Sequence, residues 1–274
     1  MKRPHVNKVF HTVLLLLLVL FTACEWRLKP VEEEPNDEIS VVRYDRVESL
    51  YLTTGDFSAL QQMNTGYPQQ TRTLIEDMLG IGHVNDPDIN TKFLTFYQDT
   101  TLQILISEVE QQYANMDDVN DDLTNAFDRL RKLIPGLNVP LIYAQIGSLD
   151  QSIVVSNDML GISLDKYLGA DHPLYLRSEY GYTDEQRQMM TREYIVPDCL
   201  GFYLLSLYPM PEDRELSQLE RDIHMAKIQW TVNKAMNRRV FDGLYVRSVD
   251  HYMNRNKNVT TEQMLRNNNY REIR

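Results

Sequence analysis

The sequence predicts a mainly helical α+β domain in which a small β-sheet is inserted between two sets of helices. Apolar residues recur at helical spacing before residue 135 and after residue 173, whereas residues 139–164 are β-like in composition. The chain has 274 residues, of which 43% are hydrophobic and 24% charged, enough for one large domain or at most two small ones. We therefore predict a single mainly helical domain over residues 39–274.

Six segments in the first half have apolar residues at helical spacing. The first begins as a short strand at Val41 and Val42 and becomes helical by Tyr51. Asp86 and Pro87 are predicted to start a helix, because aspartate caps free N–H groups and proline suits the first turn. The other predicted helices cover residues 57–63, 71–79, 101–113 and a segment from 117 that ends before 135–136.

A small sheet is predicted next, because three short β-like segments are separated by turn residues. The two turns are Gly147-Ser148 and Asn157-Asp158. The three predicted strands are residues 139–146, 151–156 and 159–164.

Helices return in the last hundred residues. Residues 185–207 are predicted to form a long helix that Pro197 breaks or kinks. Residues 216–236, 240–254 and 260–267 follow as three more helices, with Thr260 and Gln263 as a capping box. Arg238 and Arg239 are predicted to interact with a helix dipole.

The N-terminal residues 1–23 are predicted to be a secretory signal peptide. A basic stretch precedes an apolar run over 9–21 that is shorter than the roughly 20 residues of a membrane-spanning helix. The run ends in Phe21-Thr22-Ala23-Cys24, which resembles the bacterial lipobox. We therefore predict cleavage before Cys24 and lipidation of that cysteine, which anchors the chain to a membrane. Residues 24–38, charged and containing prolines, are predicted to be a flexible tether.

The charge of the chain argues against nucleic acid as a partner. The net charge is −11 and becomes −14 without residues 1–23, which carry three basic residues and no acidic ones. Phosphate contacts need lysine and arginine, so an acidic domain is unsuited to binding nucleic acid or anionic lipid by charge. A lipidated Cys24 would leave Cys199 without an intramolecular partner, and we predict that Cys199 is a buried structural thiol.

Four motifs are specific in order and spacing: Tyr143-Ala-Gln-Ile-Gly147, Ile153-Val-Val-Ser156, Leu160-Gly-Ile-Ser-Leu-Asp-Lys-Tyr-Leu-Gly169 and Arg192-Glu-Tyr-Ile-Val-Pro-Asp198. Together they resemble the gliding-motility lipoprotein B family over residues 41–265. The resemblance implies a cell-envelope lipoprotein, associated with gliding and its linked secretion system, that binds other envelope proteins. Neither the membrane nor the face on which it resides, periplasmic or external, follows from the sequence.

A zinc site is not predicted. The order of a small sheet followed by a helix is similar to that of a zinc metallopeptidase in which the motif His-Glu-x-x-His follows the sheet. In this chain Arg192 and Val196 stand at the two histidine positions of that motif. Neither side chain can bind zinc, and only Glu193 matches. We therefore expect no metal, no cofactor and no catalytic residues. Three alternatives stay open: a degenerate, metallopeptidase-like scaffold, a hydrolase with another site, and a lipoprotein that binds a small ligand.

The candidate binding or degenerate active-site region comprises Asp165, Tyr167, Arg192, Glu193 and Tyr194. Asp165 and Tyr167 follow a predicted strand, where loops often carry function, although a turn with a helix cap is the simpler interpretation. In an alternative interpretation, Arg192 and Glu193 form a structural ion pair with the region of Asp165 and Tyr167.

Tyr175, Tyr180 and Tyr182 share one loop, which is predicted to be either a recognition surface or a packed lid. His83, His172, His224 and His251 are predicted to be surface or capping residues.

Overall fold

The computed structural model describes residues 38–156 and 158–273. The predicted signal peptide, the lipidation site Cys24, the tether up to residue 37 and Asn157 of the second predicted turn lie outside these ranges.

Twelve α-helices and three strands make up this described part, and the mainly helical prediction is confirmed. The first six helices are α1 (Tyr44–Thr54), α2 (Phe57–Gly66), α3 (Pro68–Arg72), α4 (Ile89–Tyr97), α5 (Thr100–Gln112) and α6 (Asp117–Leu133); a π-helical turn (Thr73–Met78) follows α3. The strands are β1 (Leu141–Gln145), β2 (Ile153–Ser156) and β3 (Met159–Ser163). The last six helices are α7 (Asp184–Met189), α8 (Ile195–Leu207), α9 (Gln218–Met236), α10 (Leu244–Arg255), α11 (Thr261–Arg266) and α12 (Tyr270–Ile273).

The three predicted strands form one sheet of order β1-β3-β2. β1 runs parallel to β3, and β2 runs antiparallel to β3. Val42 adds a short parallel bridge beside β1: its N–H donates to the Ile142 carbonyl and its own carbonyl accepts from the Ala144 N–H, each at 2.9 Å. The short strand predicted at Val41 and Val42 is therefore this bridge.

Helices cover the sheet, which explains why every residue of the central strand β3 is buried. α1 packs against β1, and α8 packs against β2 and β3. The buried hydrophobic side chains form one main core, whose members come from both ends of the described chain, including Ile39 and Ile273. A smaller cluster lies apart from it, around Leu105, Leu149 and Tyr175.

The predicted helix over residues 185–207 is two helices, α7 and α8, so that prediction is wrong. A 3-10 turn (Arg192–Tyr194) separates them. Pro197 lies in the first turn of α8, where a backbone N–H has no intrahelical acceptor, and it therefore does not break the helix.

Helix caps were predicted with mixed success. The capping box of Thr260 and Gln263 at α11 is confirmed. Asp86 does not cap α4, because its carboxylate accepts the N–H of His83 within the preceding loop, at 2.9 Å. Asp99, which was not predicted, caps α5 through the N–H groups of its first turn.

Within the described residues, none of the helices has both the length and the apolar character that crossing a membrane requires.

Candidate functional site

Asp165 is a fully buried carboxylate that holds the loop after β1. It lies in a 3-10 turn directly after β3. Its Oδ1 accepts the N–H of Gly147 at 2.7 Å, and its Oδ2 accepts the N–H of Leu149 at 2.5 Å. Burial raises the pKa of Asp165, although the two backbone donors oppose that effect. The helix-cap interpretation of Asp165 is wrong, since the carboxylate binds a loop.

The loop that Asp165 holds has an unusual backbone. Ser148 has φ 50° and Leu149 has φ 63°, in the left-handed region that residues with a Cβ rarely adopt. Such conformations persist where the surrounding structure imposes them. The carboxylate of Asp165 binds the N–H groups on either side of Ser148 and so stabilises this backbone.

Glu48, on α1, is a second buried carboxylate at the same loop, and the sequence analysis missed it. Its Oε2 accepts the N–H of Ile146 at 2.9 Å, while Tyr97 donates its hydroxyl to the Ile146 carbonyl at 2.6 Å. Burial raises the pKa of Glu48 well above its ordinary value. The available signal was helical position, because Glu48 lies one turn from both Tyr44 and Tyr51 on the buried face of α1.

The tyrosine-rich loop packs over this region as a lid. The Tyr175 hydroxyl donates to the Asp165 carbonyl at 2.5 Å. Lys166 donates its Nζ proton to the Leu149 carbonyl at 3.1 Å and to the Tyr182 hydroxyl at 2.8 Å. Tyr180 stacks on Tyr182 at a centroid distance of 6.1 Å. Of the two interpretations, the structure favours the packed lid.

Tyr167 connects β3 with α8 and α5. It is buried, and its hydroxyl donates to Asp198 Oδ2 at 2.8 Å. The Tyr167 carbonyl accepts the hydroxyl of Tyr113 at 2.6 Å. Burial raises the pKa of Asp198 to about 7, and the hydrogen bond from Tyr167 lowers it by less.

We expect the free energy of unfolding to fall as the pH rises, and we expect Asp198→Asn to make that fall smaller. Because the Asp198 pKa is about 7 in the folded state and 3.8 ordinarily, its contribution is complete below pH 4 and is lost as the pH rises through 7. The free energy of unfolding should therefore fall by up to about 4 kcal/mol more in the wild type than in the variant. Urea unfolding at pH 4, 5.5 and 8 measures this, with exposed Asp150→Asn as the control. A variant with the wild-type pH slope would contradict the assignment.

Arg192 is a structural clamp between helix ends. Its Nε and Nη2 donate to Asp118 at 2.8 and 2.7 Å, at the start of α6. It also donates to the carbonyls of Gln112 at 3.2 Å and Asn115 at 2.7 Å, and its guanidinium lies 4.9 Å from the Tyr113 ring centre. This ion pair lowers the pKa of Asp118. The predicted pairing of Arg192 with the Asp165 region is wrong, since its acidic partner is Asp118.

Arg192→Ala should lower the free energy of unfolding by about 1–3 kcal/mol, because it leaves two carbonyls and Asp118 without their donor. Arg192→Lys should recover only part of the loss, since an ammonium cannot reproduce the fork of the guanidinium. Chemical denaturation of both variants measures these effects, and Arg177→Ala, at an exposed ion pair, is the control. Equal stability of the wild type and Arg192→Ala would contradict the clamp.

The five predicted site residues are therefore only partly connected. Tyr113 links Arg192 to Tyr167 by its ring and its hydroxyl. The side chain of Glu193 is exposed, and Tyr194 is half-buried at the start of α8.

The histidines are placed in different environments. His224 is buried, with Nδ1 3.1 Å from the Tyr270 hydroxyl and Nε2 3.0 Å from the Tyr208 carbonyl, so the surface prediction is wrong for it. His172 lies 2.7 Å from Glu108. Over residues 38–156 and 158–273, no three His, Cys, Asp or Glu side chains converge to hold a metal ion.

Cys199 is fully buried, as predicted for a structural thiol. Burial raises the pKa of its thiol well above the ordinary value, and the neighbouring Asp198 raises it further. A raised pKa favours the protonated form of the thiol, and the thiolate is the reactive form of cysteine.

Comparison with known proteins identifies one family. Residues 28–239 match the family model described as gliding motility protein GldB. No curated protein and no solved structure matches the chain.

Proposed function

Because this chain belongs to the gliding motility protein GldB family, we propose that it is a lipid-anchored, non-catalytic lipoprotein that binds other envelope proteins. The family match is the observation that carries the proposal, since it covers most of the chain and names a lipoprotein family of the cell envelope. The partners we propose belong to the gliding machinery or its linked secretion system.

The lipid anchor in this proposal is supported by the sequence before the described domain. Thr22 and Ala23 are the small residues that a lipoprotein signal peptidase needs before Cys24. Acyl chains on that cysteine would each contribute about 0.8 kcal/mol for every methylene buried in the membrane. Residues 25–38 would then separate the membrane from the domain that starts at Ile39.

The absence of catalysis in this proposal is supported by what the candidate residues already bind. Arg192 is committed to Asp118 and two carbonyls, and Val196 is buried in α8. The Asp165 carboxylate accepts two backbone N–H groups, and Tyr167 donates to Asp198. Arg192, Asp165 and Tyr167 therefore already have partners within the protein, whereas the side chain of Glu193 is exposed.

Cys24→Ser tests the anchor. The full chain, expressed in a bacterial host with an alkyne palmitate analogue, should incorporate the label and sediment with membranes. Cys24→Ser should incorporate none and keep its signal peptide, because the thiol that accepts the lipid is missing. Cys199→Ser, at the buried thiol, should label as the wild type does. Equal labelling of Cys24→Ser and the wild type would contradict the proposal.

The binding role is tested by crosslinking in the native envelope. A reproducible crosslinked envelope protein is the expected result, and no partner across repeated preparations would contradict it. Metal analysis of the same chain, purified without chelators, should find far less than one zinc per chain, whereas about one zinc per chain would support a hydrolase.

A further inference from the structure

A cationic cleft lies where the end of α9 meets α10. It has a volume of about 480 Å³ and is partly open to solvent. Four basic side chains line it and only two acidic ones: Lys234, Arg238, Arg239, Arg247, Asp242 and Asp250. The chain as a whole has a net charge of −11, so this local excess of positive charge is opposite in sign to the charge of the protein. The cleft therefore concentrates positive charge on an otherwise acidic domain.

The cleft already holds carboxylates of its own. Asp242 lies between two guanidinium groups, 3.0 Å from Arg247 and 3.6 Å from Arg239. Asp250 lies 3.1 Å from Lys234 Nζ. A guanidinium has five N–H donors, and the contacts to Asp242 use only some of them. The side chains of Arg239 and Arg247 are 70% and 57% exposed, so the remaining donors can reach a ligand.

Two apolar side chains belong to the segment that carries these charges. Phe241, on the wall of the cleft, is half-buried, and Leu244, which lies in sequence between the lining residues Asp242 and Val246, is 64% exposed. An inorganic anion or a polyanionic sugar chain would leave these apolar side chains unused. A short peptide with carboxylates and an apolar side chain would contact both features, and arginines and apolar anchors are typical of protein interfaces.

We propose that this cleft binds an acidic, leucine-containing segment of an envelope partner, with Arg239 and Arg247 contacting its carboxylates and Leu244 its apolar side chain. This inference rests on the proposed binding role and names the surface that serves it. Charge complementarity at the cleft would let the acidic domain attract an acidic partner there.

Fluorescence anisotropy tests the cleft directly. The probe is a labelled peptide, Glu-Leu-Glu-Glu-Leu-Glu, added to the detergent-solubilised full chain at 0.05 M and about 0.15 M salt. The wild type should bind it, and Arg239→Glu with Arg247→Glu should weaken the affinity at least tenfold. Leu244→Ser should weaken it severalfold, while a probe with lysine in place of glutamate should not bind.

A charge-matched control separates the cleft from the overall field of the protein. Lys92→Glu with Arg177→Glu makes the same change in net charge at exposed cations elsewhere. This control should bind within twofold of the wild type, and thermal melting should show that both double variants are folded. Equal weakening in both, or displacement of the probe by equimolar phosphate or alginate, would overturn the peptide proposal.

Crosslinking in the envelope distinguishes the failure of this inference from failure of the proposed function. If the Arg239→Glu, Arg247→Glu chain loses the partner that the wild type captures, the cleft is the binding surface. If it captures the partner as well as the wild type, the cleft proposal is wrong and the binding role stands. If the wild type captures nothing, the binding role itself fails.

Discussion

Asp165→Ala is expected to lower the free energy of unfolding by about 3–5 kcal/mol, the largest effect of any single substitution considered for this chain. The change removes the acceptor of two buried N–H groups, those of Gly147 and Leu149. Each unpaired donor costs about 1–3 kcal/mol. The substitution also leaves the left-handed backbone at Ser148 and Leu149 without the group that stabilises it. Urea denaturation at pH 6 measures the loss.

Two variants make the Asp165 experiment specific. Asp165→Asn should lose less than Asp165→Ala, because the amide oxygen can still accept one of the two N–H groups. Asp150→Ala, at an exposed position close in sequence, should change the stability by less than about 0.5 kcal/mol. A loss below about 1 kcal/mol for Asp165→Ala would show that the loop does not depend on the carboxylate.

Gly161→Ala is expected to cost about 2–3 kcal/mol, because β3 has no room for a side chain at this position. A Cβ there would lie 2.6 Å from both Cζ and the hydroxyl oxygen of Tyr143, which faces Gly161 across the parallel pair β1 and β3. Tyr143 is itself buried, so its ring cannot move away freely. Thermal melting and urea denaturation of the variant measure the effect.

A matched glycine and a double variant control for the Gly161 experiment. Gly201→Ala, in α8, places its Cβ more than 4 Å from the nearest neighbouring atoms and should raise stability by about 0.5–1 kcal/mol. Adding Tyr143→Leu to Gly161→Ala should cost less than the sum of the single changes, because the collision disappears. Strict additivity would contradict the predicted clash.

The helices and strands were largely predictable because their signals are local. In α6, apolar residues at helical spacing lie between Asp117 and Leu133, and the structure buries that face. The capping box at Thr260 needs only the residue three positions later. The division of α7 from α8 was missed because hydrophobic spacing alone does not distinguish one helix from two that adjoin.

The contacts of the candidate region were not predictable, because they join residues distant in sequence. Arg192 and Asp118 are 74 positions apart, and Glu48 and Ile146 are 98 apart. Sequence spacing showed that Asp165 and Tyr167 follow a strand, but only the folded chain shows which groups they bind. The same holds for Glu193, whose side chain is exposed while its carbonyl accepts from Arg238.

The cationic cleft had a partial signal in the sequence. Arg238 and Arg239 were interpreted as cations at a helix dipole, yet α9 ends at Met236 and Arg239 pairs with Asp242. The contribution of Arg247 was not predictable from the sequence, because only the packing of α10 on α9 brings Arg247 to the same cleft.

The most direct test of the central claim, a lipid-anchored envelope lipoprotein, is mass spectrometry of the N-terminal peptide of the chain isolated from membranes. We predict that the peptide begins at Cys24 and carries diacylglycerol on the cysteine sulfur. An N-terminus elsewhere, or an unmodified Cys24, would contradict the claim.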